Sequence, residues 1–155
     1  MDKQPSSRSC FVCGRENDNG LHLEWYNDDE SQRVVGTVTV PAKFNGYPGV
    51  VHGGIVAAIL DETAGRAIML NREFDNLMVT IKLEVTYRRP TPCGVPLTVT
   101  GWVDRRSGSR AQVAGEIRLP DGSLTATAKA HIMKPPPEFL GEWEKEKPFW
   151  RVYDD

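Results

Sequence analysis

A chain of 155 residues is long enough to bury one ordinary hydrophobic core without disulfide or metal support, which favours a single domain. Its 39% hydrophobic and 26% charged residues are the balance of a globular protein, and a formal net charge of -2 argues against a dedicated nucleic-acid partner. No apolar run approaches membrane-spanning length and the opening MDKQPSSRSC is polar, so no membrane association is expected and the cytoplasm is the expected compartment.

Residues 1–19 form a polar leader containing Cys10-Phe-Val-Cys13-Gly, the spacing of half a zinc site. No second Cys-x-x-Cys completes it, and Cys93, His22 and His131 lie far off in sequence. With three cysteines in all, the expectation is no metal, no disulfide framework, and a tight turn with one or two buried thiols. The domain proper is expected over 20–134. Gly20 to Tyr26 alternates as a first strand, and RVVGTVTVP, ended by Pro41, reads as a second. A glycine-rich loop, AKFNGYPGVVHGG, then leads into the one convincing helix, Gly53 to Asn71.

After that helix the apolar period switches to two. Leu77, Val79, Ile81, Leu83, Val85 and Tyr87 alternate with polar residues, describing a long strand with one buried face. Three more strands follow, carrying Leu97, Val99 and Val103, then Ala111, Val113 and Ile117, then Leu124 to Ile132. From Pro135 the chain becomes a tail rich in Pro and aromatics, with Phe139, Trp143, Phe149, Trp150 and Tyr153. Residues 135–155 are expected to cover a surface of the domain or of a neighbouring subunit.

On a helical wheel Ile55, Val56, Ile59, Leu60, Thr63, Ala67 and Leu70 form the stripe that faces a sheet. The opposite side is nearly bare: Gly54, Ala57, Ala58, Ala64 and Gly65 surround Asp61. Small residues admit close approach, and aspartate is a poor mid-helix residue unless something there needs it. Glu62, four residues before Arg66, reads as a surface ion pair. Ahead of the helix, unpaired N–H groups of Gly53 and Gly54 sit at its positive end, suited to a developing oxyanion, with His52 orienting the loop. Eight residues separate Gly53 from Asp61, about 12 Å along a helix. Two antiparallel copies of the helix would bring the acid of one chain to the amide of the other, giving two equivalent sites per homodimer.

The segment HGGIVAAILDE, with one helix set among antiparallel strands, resembles the hotdog-fold thioesterase superfamily, specifically its PaaI-like acyl-CoA thioesterases. The likeness covers roughly Leu21 to Lys134, and CFVCGRENDNGLHLEW is similar to a leader in a subset of its uncharacterised members. It implies an α+β hotdog fold: a long central helix wrapped by an antiparallel sheet of about five to six strands. It also implies an acyl-CoA substrate, no cofactor, and a homodimer or a dimer of dimers. Asp61 is then general base or nucleophile and the Gly53 amide polarises the thioester carbonyl. Asn45 matches approximately an asparagine that orients water or substrate, and Thr80 stands where a Ser or Thr holds the attacking water. Gly54 and Glu62 lie beside the substrate, and Arg88 and Arg89 are positioned by sequence to meet coenzyme A phosphates. Dehydratases of the same fold carry a histidine where this chain has Lys43, which disfavours dehydration. A non-catalytic acyl-CoA binder or sensor is the alternative from a different class.

Overall fold

The computed structural model describes residues 1–155. Seven strands form one antiparallel sheet: β1 (Asp2–Lys3), β2 (Trp25–Asp28), β3 (Arg33–Thr39), β4 (Val79–Tyr87), β5 (Pro96–Ser107), β6 (Arg110–Arg118) and β7 (Leu124–Met133). Their spatial order is β1-β2-β3-β5-β6-β7-β4, and helix α1 (Gly53–Gly65) packs against β5, β6 and β7. This is the hotdog fold, with one more strand than the sequence suggests because the leader contributes β1. No helix is long and apolar enough to cross a membrane.

The helix follows from its apolar stripe. Val56, Ile59, Leu60 and Thr63 are buried, and Thr63 accepts at Oγ1 from the indole N–H of buried Trp25 at 3.0 Å. Gly101 on β5 lets the helix approach: a Cβ there would stand 2.4 Å from the Thr63 carbonyl oxygen. The bare face is narrower than the wheel suggests, since Ala64 is fully buried and packs with Val113 and Ile132. The α-helix also stops at Gly65. Residues Arg66–Asn71 continue as a 3₁₀ helix, and Arg72, at φ 66°, takes the left-handed capping position more often filled by glycine.

Two strand expectations are corrected. Leu21 and Leu23 donate their N–H groups to the carbonyls of Phe11 and Val12, so residues 21–23 pair with the Cys-x-x-Cys turn and the strand starts only at Trp25. β4 is the sheet's edge, and its apolar face is not buried within the chain: Val79, Ile81 and Tyr87 are exposed, and Leu83 and Val85 only partly covered.

Leader and tail are tied together. Gln4, Ser6 and Ser7 are buried despite their polarity, and Ser6 bridges to Arg151. Glu146, in the short helix α2 (Trp143–Glu146), accepts from the backbone N–H groups of Arg8 and Ser9. The Trp150 indole donates to the Phe74 carbonyl at 2.8 Å.

Candidate active site

The loop and the first turn of α1 build one half of the site. His52 is the N-cap, and its Nδ1 accepts the Gly54 N–H at 2.9 Å, in the place of the usual Ser or Asp oxygen. That bond fixes the ring's proton on Nε2 in the neutral form. It also removes Gly54 from the set of free donors, correcting the reading in which both glycine amides are unpaired. Gly53 is the first helical residue, so its N–H has no intrahelical acceptor. Its carbonyl instead accepts from the Tyr87 hydroxyl at 2.6 Å, which anchors the helix start to the end of β4. His52, Gly53, Tyr87, Arg88 and Arg89 all line one cavity of about 610 Å³. Asn45 is exposed in the loop and does not line it.

The other half lies further along the helix. Asp61 is partly buried, and its Oδ1 accepts the Thr80 hydroxyl at 2.6 Å. Thr80 borders a β-bulge: it pairs with Ile132 while Lys82 pairs with His131, leaving Ile81 as the extra residue. A bulge re-aims side chains locally, and here it stands where the strand meets the acid. Asp61, Glu62 and Thr80 share a second cavity of about 440 Å³, whose walls include the tail residues Trp143 and Trp150. Within one chain, then, Asp61 joins Thr80 and Glu62, whereas Gly53 joins His52 and the two arginines.

Glu62 does not form a surface ion pair. Its partner Arg66 is 1% exposed, meets Glu62 Oε1 at 3.2 Å, donates to the Pro5 carbonyl at 2.5 Å, and places its guanidinium 4.2 Å from the Trp25 ring centre and 5.2 Å from that of Trp150. Burial pushes the Glu62 carboxyl above its ordinary range, and the Arg66 charge opposes that shift. Cys10, Cys13 and Glu62 converge, their ligand atoms all within 4.8 Å of one another. The neighbouring Cys10 thiol and the Arg66 charge push the Cys13 thiol down, against its burial, and proximity to Cys13 together with burial pushes the Cys10 thiol up. His22, His131 and Cys93 take no part in this cluster. Tyr87 and the tail tryptophans escape sequence reasoning because their apolar character is explained equally well by packing.

Comparison with known proteins follows the same outline. The family profile described as the thioesterase superfamily matches residues 48–126, half of the chain. Mouse acyl-coenzyme A thioesterase THEM4 is 25% identical over 138 residues, 88% of this chain and 58% of its own, so this chain spans little more than half the length of that relative. A crystal structure of protein RHA08564, described as a thioesterase superfamily protein, is 32% identical, with TM-score 0.74, covering 81% of this chain and 63% of that one. The E. coli PaaI protein from the phenylacetic acid degradation operon shares the fold at 21% identity and TM-score 0.65, covering 75% of this chain and 81% of its own.

Proposed function

The chain belongs to the thioesterase superfamily, and from that premise we propose that it hydrolyses acyl-coenzyme A thioesters to a carboxylic acid and free coenzyme A, as a homodimer or a dimer of dimers. The observation that carries this reading is the division of the site. A held carboxylate, Asp61, sits in one cavity, and a free amide, Gly53, sits in another, eight residues earlier on the same helix. At about 1.5 Å rise per residue the two backbones lie about 12 Å apart, too far to serve one thioester from one chain. Two helices lying antiparallel across a two-fold axis would set Asp61 against Gly53 of the partner subunit, twice.

The exposed apolar side chains of the edge strand β4 favour such pairing, because an open edge of nine residues invites another strand. In the joined site the Gly53 N–H stabilises the carbonyl oxygen as the carbon becomes tetrahedral. Asp61 either takes a proton from the attacking water or attacks the carbon itself; the carbon–sulfur bond then breaks to release the thiolate, and in the second route water hydrolyses the acyl–aspartate anhydride to give the acid and restore the carboxylate. Thr80 holds the carboxylate by one oxygen and leaves the other for water. Arg88 and Arg89, in the Gly53 cavity, face the phosphates of coenzyme A.

The test is thiol release from a panel of aliphatic and aryl acyl-coenzyme A esters. Turnover of at least one class is expected, whereas tight binding without turnover across the panel would identify the protein as an acyl-coenzyme A sensor. Thr80→Val keeps the side-chain shape and removes the hydroxyl donor. It should lower kcat/KM about tenfold, the worth of one hydrogen bond to a charged group, with the unfolding midpoint unchanged.

A further inference from the structure

Packing accounts for part of the Cys-x-x-Cys turn, since Val12 and Cys13 are buried in the core and Cys10 packs against it, but neither packing nor the thioesterase reading explains why both sulfurs meet a carboxylate. We propose that Cys10, Cys13 and Glu62 bind a divalent ion of the zinc class, clasping the leader to the helix one residue from Asp61. The proposal does not depend on the hydrolase reading. Two soft sulfur donors and one carboxylate oxygen, mutually within 4.8 Å, match the ligand chemistry of a zinc site and need only small side-chain shifts to converge on one ion at Zn–S about 2.3 Å and Zn–O about 2.0–2.2 Å.

The turn is built to present its sulfurs. Gly14 is obligatory, because a Cβ there would fall 2.3 Å from the Cys10 carbonyl oxygen, and its N–H closes the turn onto that same oxygen at 2.7 Å. The Val12 N–H donates to Cys10 Sγ at 3.3 Å and Ser7 Oγ lies 3.4 Å from Cys13 Sγ, contacts that favour sulfur carrying negative charge. Glu62 reaches the pair from α1 with Oε1 already oriented by Arg66, the role an outer-shell partner plays for a ligating carboxylate.

Charge closes the argument. Two thiolates and a carboxylate carry three negative charges, and a divalent ion with the Arg66 guanidinium carries three positive. Arg66 is buried and its Nη2 has no acceptor within the chain, so a cation with a spare donor already stands beside the anionic site. The three ligand residues line the cavity that holds Asp61, so solvent reaches a fourth coordination position. Binding displaces one proton from each thiol to solvent and involves no change of oxidation state.

The experiment uses the full chain, purified under reducing conditions, stripped with chelator, and titrated with cobalt(II) and then zinc. Uptake of about one cobalt per chain with thiolate-to-metal charge-transfer absorption, displaced by zinc, is the expected result. Cys13→Ser should lose that absorption, Glu62→Gln should weaken binding at least tenfold, and Cys93→Ser should leave both unchanged. Three reactive thiols in the wild-type chain before and after zinc, with no charge-transfer band, would overturn the proposal. So would isolation of Cys10 and Cys13 as a disulfide that reforms after reduction in the presence of zinc.

Discussion

Asp61→Asn should lower acyl-coenzyme A hydrolysis by about 10²- to 10⁴-fold, the usual contribution of a positioned base or nucleophile, with no loss of fold or of self-association. The substitution keeps the volume and the ability to accept the Thr80 hydroxyl, so the local packing survives. What disappears is the negative charge that activates water or attacks carbon. Purified variant and parent should match in circular dichroism and in sedimentation, and differ in initial rate of thiol release. Full retention of rate would remove Asp61 from the chemistry and, with it, the reason for bringing two helices together.

Arg66→Ala is expected to destabilise the chain by about 3 kcal/mol, the low end of the range for removing one partner of a buried ion pair, because Arg66 is buried while Glu62 keeps some contact with solvent. The guanidinium joins three segments distant in sequence. It holds Glu62 on the helix and the Pro5 carbonyl in the leader, and lies between Trp25 of β2 and Trp150 of the tail. Truncation strands the carboxylate, leaves the Pro5 carbonyl without its donor, and opens a void between two indoles. Urea unfolding in chelator-containing buffer reads this effect apart from any metal. Arg66→Met, which refills the void without the charge, should recover part of the loss, and equal midpoints for all three proteins would contradict the assignment.

The architecture was legible because its signals are periodic. The stripe from Val56 to Thr63 repeats every three or four residues, and the strands after it repeat every two, so one helix against an antiparallel sheet follows from spacing alone. Asp61 was legible for the opposite reason, as a polar residue that breaks a run of small and apolar ones. The leader was opaque. Gln4, Ser6 and Ser7 are buried, yet nothing in their hydropathy marks them, because their burial depends on partners far along the chain: Gln4 donates to Asn27 and to the Arg66 carbonyl. Arg66 misled in the same way, since a charge four residues from an acid reads as surface, and only the tryptophans around it reveal an interior. β4 misled in reverse. Alternation announces an apolar face but not whether the chain itself supplies the cover, and here Val79, Ile81 and Tyr87 are left facing outward.

The enclosure of Arg66 has a further consequence for biosynthesis. A ribosome delivers the guanidinium long before it delivers Trp150, and the sheet cannot supply the missing wall. Helix and strands can assemble while that corner is still wet, and sealing by the tail is expected to follow them. A nascent chain arrested after β7 should therefore be protease-resistant through its strands and still open beside the helix.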